Sequence, residues 1–215
     1  MESYVSIPPK HLNIASMTVA RDVLGPGNRF ILWVQGCLRH CTGCIAPQWR
    51  AMEQANLIET DSLINFVSKM AIDGITISGG EPALQAAELA RFLRGVQSSR
   101  REKLNVIAFS GYTLDELKTN PPDTGVDDFL SELDVLIDGE YILALDNGVG
   151  LRGSANQTIH HLNQKRLAHI DFANQPRSIE IRILEGETMM IGIPTKEDLR
   201  VYHRGINAAI RKGGV

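Results

Sequence analysis

The sequence predicts an α/β fold in which a mainly parallel sheet forms part of a parallel barrel. Short apolar runs typical of strands lie near residues 31, 75, 105 and 135, with helical stretches between them. This alternation indicates repeated βαβ units, whose right-handed crossovers bring the carboxyl ends of the strands to one side. Each of these strands leads into a loop of distinctive sequence. Parallel barrels place their active sites on such a rim of loops.

The first predicted strands flank a sharp turn. Residues 12–23 alternate loosely between polar and apolar and are expected to contain a strand. Gly25-Pro26-Gly27-Asn28 is turn chemistry, because glycine accepts a positive φ and proline fixes its own φ. Residues 30–34 form a continuous apolar run, as expected of a strand covered on both faces. This strand delivers the chain directly to Gly36 and the cysteines.

The following elements alternate between helix and strand. In order, the sequence predicts helix 60–70 capped by Thr60 and Asp61, strand 74–78, helix 84–100, strand 104–109, a helix opened by a capping box of Thr113 and Glu116, helix 126–133 and strand 134–138.

The two ends of the chain lie outside this alternation. They comprise a surface arm at residues 1–11, a hairpin at residues 178–193 that turns near Glu185-Gly186-Glu187, and a final helix at residues 195–211 capped by Thr195 and Asp198. No composition typical of a linker separates these segments. We therefore predict one domain over residues 1–215, with a core at about 12–165 and a C-terminal extension at about 171–215.

The composition argues against several classes of protein. Twenty-two basic and 25 acidic side chains give a net charge near −3, which disfavours a nucleic-acid surface built on bulk charge. The apolar runs fall far short of the roughly 20 residues that cross a bilayer, and the first residues lack a secretory signal pattern. An odd number of clustered cysteines suits a reducing compartment. We expect a cytoplasmic protein that binds neither nucleic acid nor membrane.

The cysteine loop, residues 37–44, is the most informative stretch. Cys37, Cys41 and Cys44 are the only cysteines and follow a C-x3-C-x2-C spacing. Thiolates are soft ligands for iron–sulfur clusters, zinc or copper, and three of them would leave one iron of a cubane cluster open. A structural zinc site is the alternative, but it ordinarily needs four ligands. No second cysteine pair exists, and His40 lies too close in sequence to its neighbours to be an obvious fourth ligand.

A second distinctive turn, Gly79-Gly80-Glu81-Pro82, ends the predicted strand 74–78. Alone it is also ordinary turn chemistry. Beside an open iron, this turn would indicate a ligand-binding site. Glycines let a backbone approach a ligand closely, and Glu81 offers an acceptor for an ammonium group. A small zwitterion that chelates iron through its amine and carboxylate would suit both features.

Together, the cysteine loop and this turn resemble the radical S-adenosylmethionine superfamily, and within it the glycyl-radical activating enzymes of anaerobic ribonucleoside-triphosphate reductase. The similarity runs from about residue 14 to about residue 162. It includes Gly25-Pro26-Gly27, Gly36-Cys37, Cys41-Thr42-Gly43-Cys44, Trp49, residues 78–82, Gly111-Tyr112, residues 114–117, residues 135–139, Arg152-Gly153-Ser154 and Asn156-Gln157.

The resemblance implies a partial parallel (βα) barrel whose cofactors perform the chemistry, so no catalytic side chain is predicted. A [4Fe–4S] cluster would bind S-adenosylmethionine at its fourth iron. One electron from a flavodoxin or ferredoxin would then yield a 5′-deoxyadenosyl radical that abstracts hydrogen from a partner protein, a glycyl-radical enzyme. The implied residues are Cys37, Cys41 and Cys44 for the cluster, and Gly79, Gly80, Glu81, Pro82, Ser110, Asp138 and Asn156 for the cofactor.

Three features depart from the family pattern. Gly43 replaces an aromatic residue of most superfamily members, although the reductase activators share this feature. Glu81 stands where those activators often have aspartate. The tail beyond about Arg166 and the longer N-terminal arm are absent from the compact activators. A radical enzyme acting on a peptide or another substrate is therefore an alternative, and a non-catalytic metal-bearing interaction module is a third.

Other conspicuous side chains receive plainer interpretations. His160 and His161 alternate along a strand, so at most one would face the site, and surface or packing roles are expected. Arg152 is expected to be solvated. Trp33 and Trp49 are expected to be core residues or to cover the cluster.

Overall fold

The computed structural model describes residues 6–163, 166–184 and 187–212. It contains a seven-stranded sheet and a separate two-stranded hairpin. The sheet consists of β1 (His11–Arg21), β2 (Asn28–Val34), β3 (Asn56–Glu59), β4 (Gly74–Gly79), β5 (Asn105–Ser110), β6 (Val135–Asp138) and β7 (Thr158–His161).

The sheet is mixed, with a parallel centre. Its strand order is β3-β1-β2-β4-β5-β6-β7. The neighbours β2, β4, β5 and β6 pair in parallel, whereas β1, β3 and β7 pair antiparallel with their neighbours. The four central strands are those that the apolar runs predict, and their parallel arrangement is confirmed.

Helices connect the strands and follow the hairpin. They are α1 (Thr60–Val67), α2 (Ala86–Ser98), α3 (Leu114–Thr119), α4 (Val126–Ser131) and α5 (Lys196–Lys212), with short 3-10 turns at Pro47–Trp49, Pro82–Gln85 and Leu143–Leu145. The hairpin consists of β8 (Ile179–Leu184) and β9 (Glu187–Gly192). Among the described helices, none combines the length and apolar character needed to cross a membrane.

Most predicted helix starts are confirmed, and one is wrong. Thr113 and Glu116 form the predicted capping box, and Asp198 N–H donates to Thr195 Oγ1 at 3.1 Å. Helix α1, however, begins at Thr60 itself, after Glu59. The Thr60 hydroxyl donates instead to Glu88 at 2.7 Å. A tertiary hydrogen bond has displaced the local cap that the sequence predicts.

Strand β3 and the tight first turn before α2 are not predicted. Strand β3 has only four residues and pairs with the start of β1, so its own sequence carries little periodicity. The predicted helix 84–100 begins as a 3-10 turn because Glu81 accepts from Ala83 N–H and caps it. Residues 1–5 of the predicted arm and the hairpin turn at Glu185 and Gly186 lie outside the described residues.

The sheet has two apolar faces, each with its own core. Along β2, Phe30 and Leu32 pack with the first core, while Ile31 and Trp33 pack with the second. This alternation explains why the whole strand is apolar. Helices α1, α2 and α4 contribute to the first core. The second core is completed by residues outside the sheet, namely Val23, Leu24, Leu151, Leu167, Phe172, Ile191 and Ile193. The C-terminal extension therefore covers one face of the sheet.

Candidate functional site

The carboxyl ends of the parallel strands meet at one open pocket with a volume of about 190 Å³. Strand β2 leads into the cysteine loop, β4 ends at Gly79, and β5 ends at Ser110. The lining includes Cys37, Cys41, Cys44, Gly79, Gly80, Glu81, Ser110, Gly111 and Gly139. Seven of the ten residues predicted as cluster ligands or cofactor contacts therefore line this pocket.

Backbone hydrogen bonds close the cysteine loop at its base. Gly36 N–H donates to Trp49 C=O at 2.9 Å, and Cys37 N–H donates to Arg50 C=O at 3.1 Å. Within the loop, Cys44 N–H donates to Cys41 C=O at 3.2 Å. The three thiols are free and partly exposed. The three cysteines therefore lie on one short loop that is closed by backbone hydrogen bonds and borders the pocket.

The donor set fits a cubane cluster held from one side. Burial raises the pKa of the Cys37 thiol to about 11, so it becomes a thiolate ligand readily only when a metal replaces the proton. Among the described residues, no three His, Cys, Asp or Glu side chains are arranged around a single metal ion. A [4Fe–4S] cluster does not require that arrangement, because each thiolate binds a different iron.

The Gly79-Gly80 turn packs directly against the base of the cysteine loop. Gly80 N–H donates to Val34 C=O and Glu81 N–H donates to Gly36 C=O, both at 2.8 Å. A Cβ on Gly80 would lie 2.2 Å from Gly36 O, and Gly79 has a φ of +108°. The glycines thus permit two stretches of backbone to touch. Their predicted approach to a ligand stays a prediction.

Glu81 joins the ends of β4 and β5. Its side chain is buried, and Oε1 accepts from Ala83 N–H and from the Ser110 hydroxyl, both at 2.9 Å. Oε2 accepts from Gly111 N–H at 2.7 Å. Burial raises the pKa of Glu81. Because a carboxylate has about four acceptor positions, three protein donors leave room for one further donor.

Arg39 is a pocket residue that the sequence does not reveal. Its guanidinium donates to Glu116 at 2.8 Å and lies over the Tyr112 ring at 4.0 Å from the centroid. This ion pair lowers the pKa of Glu116. Arg39 and Glu116 are 77 positions apart, so no local pattern connects them.

Three predicted cofactor residues are not among those lining the pocket. Pro82 is buried at the start of a 3-10 turn. Asp138 is buried, accepts from Leu114 N–H, and is hydrogen-bonded to His160 Nε2 at 2.9 Å. Asn156 is exposed and donates to Glu140 C=O at 2.8 Å. As cofactor contacts, these three stay predictions whose side chains are engaged elsewhere.

The neighbouring Gln157 occupies the place where Asn156 was expected. Gln157 lines the pocket; its Oε1 accepts from Gly153 N–H at 2.7 Å, and its Nε2 donates to Gly139 C=O at 2.7 Å. Sequence alone cannot choose between two adjacent amides in a loop. Arg152, expected to be solvated, is half-buried and donates to Gln157 C=O at 3.2 Å.

The aromatic expectations are matched by the packing. Trp33 and Trp49 both line the pocket, with ring centroids 5.3 Å apart. His161 stacks on Phe172 at 5.8 Å, whereas His160 bonds to Asp138. Both histidines therefore have packing or hydrogen-bonding roles away from the pocket lining.

A cysteine loop facing a Gly-Gly-Glu-Pro turn, at the carboxyl end of parallel strands, defines an iron–sulfur protein of the radical S-adenosylmethionine class. The profile of the family described as 4Fe-4S single cluster domain matches residues 23–160. The chain belongs to this family and to the radical S-adenosylmethionine superfamily.

Similar proteins include several that are named as activators of other enzymes. The anaerobic ribonucleoside-triphosphate reductase-activating protein of Escherichia coli K12 is 36% identical over 148 residues, covering 65% of this chain and 92% of that protein. The protein of the same name from Enterobacteria phage T4 is 31% identical, covering 64% and 86%. The pyruvate formate-lyase-activating enzyme of Staphylococcus epidermidis is 33% identical over 35% of this chain and 33% of its own length.

A solved structure also shows a partial similarity. The crystal structure of QueE from Escherichia coli matches with a TM-score of 0.39 and 12% identity, covering 48% of this chain and 54% of that one.

Proposed function

We propose that this radical S-adenosylmethionine enzyme activates a partner protein by generating a glycyl radical on it, the partner being a glycyl-radical enzyme such as anaerobic ribonucleotide reductase. The observation that carries the proposal is the placement of Cys37, Cys41 and Cys44 across one pocket from the Gly79–Glu81 turn. The relatives named as activating proteins of that reductase, matched over 86% and 92% of their length, support the choice of partner.

The chain's own residues would hold the cofactors and exclude water. When bound, a [4Fe–4S] cluster with S-adenosylmethionine would supply one-electron radical chemistry that removes hydrogen from the partner. Cys37, Cys41 and Cys44 would hold the cluster, and the spare acceptor position of Glu81 would orient the methionine amine. The Trp33–Trp49 pair would shield the reacting atoms from solvent.

We also propose an external electron donor, a partial-barrel architecture and a single domain. The three cysteines leave no thiolate ligands for a second cluster, so we propose a flavodoxin or ferredoxin as the external electron donor. The parallel centre, with the pocket at its carboxyl ends, supports the partial-barrel interpretation. The second core, shared between residues 20–151 and the extension, supports a single domain.

Anaerobic reconstitution tests the proposal. The wild-type chain should bind about four irons with matching sulfide, form 5′-deoxyadenosine after reduction, and leave a glycyl radical signal in a candidate partner by electron paramagnetic resonance. Cys37→Ala, Cys41→Ala and Cys44→Ala should each lose iron and product. Thr42→Ala, in the same loop and exposed, should retain both. A reconstituted chain that forms 5′-deoxyadenosine but leaves no radical in any partner contradicts the activase function.

A second function is favoured by one observation, the contribution of the C-terminal extension to the pocket. Gly192 and Ile193 line it, although the family match ends at residue 160. A pocket shaped by a segment beyond the family match suits a different substrate, such as a peptide. Transfer of deuterium from a labelled peptide into 5′-deoxyadenosine would favour this function. Absence of both iron and product would instead favour a non-catalytic metal-bearing module.

A further inference from the structure

The C-terminal extension forms a wall of the pocket. Ile193 lines the pocket together with Trp33 and the cysteine loop. Ile193 is 8% exposed and packs in the second core with Trp33, Ile191 and Phe172. The part of the extension that contains Phe172, Ile191 and Ile193 therefore packs against the structure that surrounds the cysteines.

Arg177 connects this wall to the loop that contains Asp146, Arg152 and Gly153. Its side chain is only 2% exposed and pairs with Asp146, 6% exposed, at 2.9 Å. The same guanidinium donates to Arg152 C=O at 2.7 Å and Gly153 C=O at 2.9 Å, and to Pro194 C=O at 3.4 Å. A planar guanidinium with five donors is suited to holding several acceptors at once.

The groups that Arg177 holds border the pocket directly. Gly153 lines it, and Pro194 follows Ile193. Tyr141 also lines the pocket, and its hydroxyl donates to Asp146 at 3.1 Å. Arg177 thus links the loop of residues 141–153 to the end of the hairpin.

Ile193 also separates two cavities. A second cavity of about 270 Å³ is lined by Gly25, Gly150, Arg177 and others. Leu24 and Ile193 line both this cavity and the cysteine pocket. The volume of the Ile193 side chain therefore limits how far the cysteine pocket extends.

We propose that Ile193 is a specificity-determining residue of the pocket, setting its depth, and that Arg177 is the positioning residue that holds Ile193 in place. The identity of the ligand rests on the proposed function, since the pocket would receive S-adenosylmethionine and part of the substrate. The position of the Ile193 wall does not depend on the proposed function. The two can therefore be tested separately.

The position of the wall is read by tryptophan fluorescence in the metal-free full-length chain. The chain has two tryptophans, and both line the pocket, so quenching by acrylamide reports on this site alone. Ile193→Ala and Arg177→Gln should increase quenching and shift emission to the red, with far-UV circular dichroism unchanged. Ile193→Phe should decrease quenching.

Matched controls are available in the same extension. Ile183→Ala changes an isoleucine that is 72% exposed, and Arg200→Gln changes an arginine whose side chain is 71% exposed. Both should leave quenching at the wild-type value. Equal quenching in Ile193→Phe, Ile183→Ala and the wild type would overturn the proposal, even if Ile193→Ala failed to fold.

The specificity is read by equilibrium binding of S-adenosylmethionine to the reconstituted holoenzyme. Ile193→Phe should weaken binding by about ten-fold or more, as expected when a hydrophobic pocket is filled by extra carbon atoms. Ile183→Phe should bind as the wild type does. Equal affinity of these two variants would overturn the specificity role. If wild-type protein forms no 5′-deoxyadenosine, the proposed function fails, while the quenching result still decides whether the wall exists.

Discussion

The polar side chains around the pocket are held by hydrogen bonds to backbone groups and to other side chains. Glu81 receives three protein donors, Arg39 binds Glu116, and Gln157 bonds to Gly153 and Gly139. Such a network fixes rotamers before a ligand binds, which reduces the reorganisation needed at the site.

Glu116→Gln tests the Arg39 contact through its pH dependence. Hydrogen bonding to Arg39 and Thr113 lowers the pKa of Glu116 below its usual 4.5. The contribution of this carboxylate to stability is therefore present above pH 4.5 and is lost as the pH falls through the lowered pKa. Glutamine can still complete the capping box with Thr113. We expect the free energy of unfolding of this variant to depend less on pH in that acidic range.

Urea unfolding at a series of pH values on both sides of 4.5 provides the measurement. Glu102→Gln is the control, because the Glu102 side chain is exposed to solvent. Parallel pH profiles for Glu116→Gln and the wild type would show that the Arg39 contact does not persist in solution.

At the scale of elements, the end of β4 and the base of the cysteine loop form one unit. Gly80 and Glu81 donate to backbone carbonyls of Val34 and Gly36, and β4 pairs with β2 up to Val34 and Gly79. The positions of the cysteines thus depend on the close approach of β4 to β2.

Gly80→Ala should disturb this unit. Its Cβ would lie 2.2 Å from Gly36 O, so the backbone must shift, and we expect a loss of about 1–3 kcal/mol, the usual cost of overpacking. Iron content after reconstitution should also fall, because Gly36 precedes the first cysteine. Urea unfolding and iron analysis measure the two effects.

Gly205→Ala provides the matched control. Gly205 lies in α5 with nothing within 4 Å of an added Cβ, so alanine should stabilise by about 0.5–1 kcal/mol through helix propensity. If Gly80→Ala proved as stable as Gly205→Ala and bound iron normally, the close approach would have no role in holding the loop.

The elements show where sequence patterns suffice and where they fail. The strand at residues 30–34 is predicted because alternate side chains enter two cores and all are apolar. The prediction that Thr60 caps α1 is wrong because its hydroxyl donates to Glu88 in another helix. Strand β3 is not predicted, because its four residues are stabilised by pairing with β1 and no local sequence pattern reflects that pairing.

At the scale of the whole molecule, the extension contributes to folding as well as to the pocket. A chain ending at residue 170 would lose Phe172, Ile191 and Ile193 from the second core. Burial of side chains of this size stabilises by about 1.5–3 kcal/mol each, giving roughly 5–9 kcal/mol in all, comparable with the total stability of many domains. We expect this truncated chain to lose cooperative unfolding in circular dichroism and urea titration.

A chain ending at residue 195 is the control for that truncation. It removes α5, and none of the side chains at residues 196–205 is buried. Cooperative unfolding should persist. A cooperative transition in the chain ending at residue 170 would mean that the second core is stable without the extension.

The sequence by itself determined the class of chemistry and the central strands. Three cysteines within residues 37–44 and the apolar periodicity are local properties, and local properties can be read along a chain. The tertiary structure decided that Gln157 faces the pocket in place of Asn156, that Arg39 meets Glu116, and that Arg177 ties the extension to the pocket wall. These contacts join residues far apart in sequence or depend on the direction of a side chain in a loop. Both are fixed only when the strands have paired and the two cores have packed.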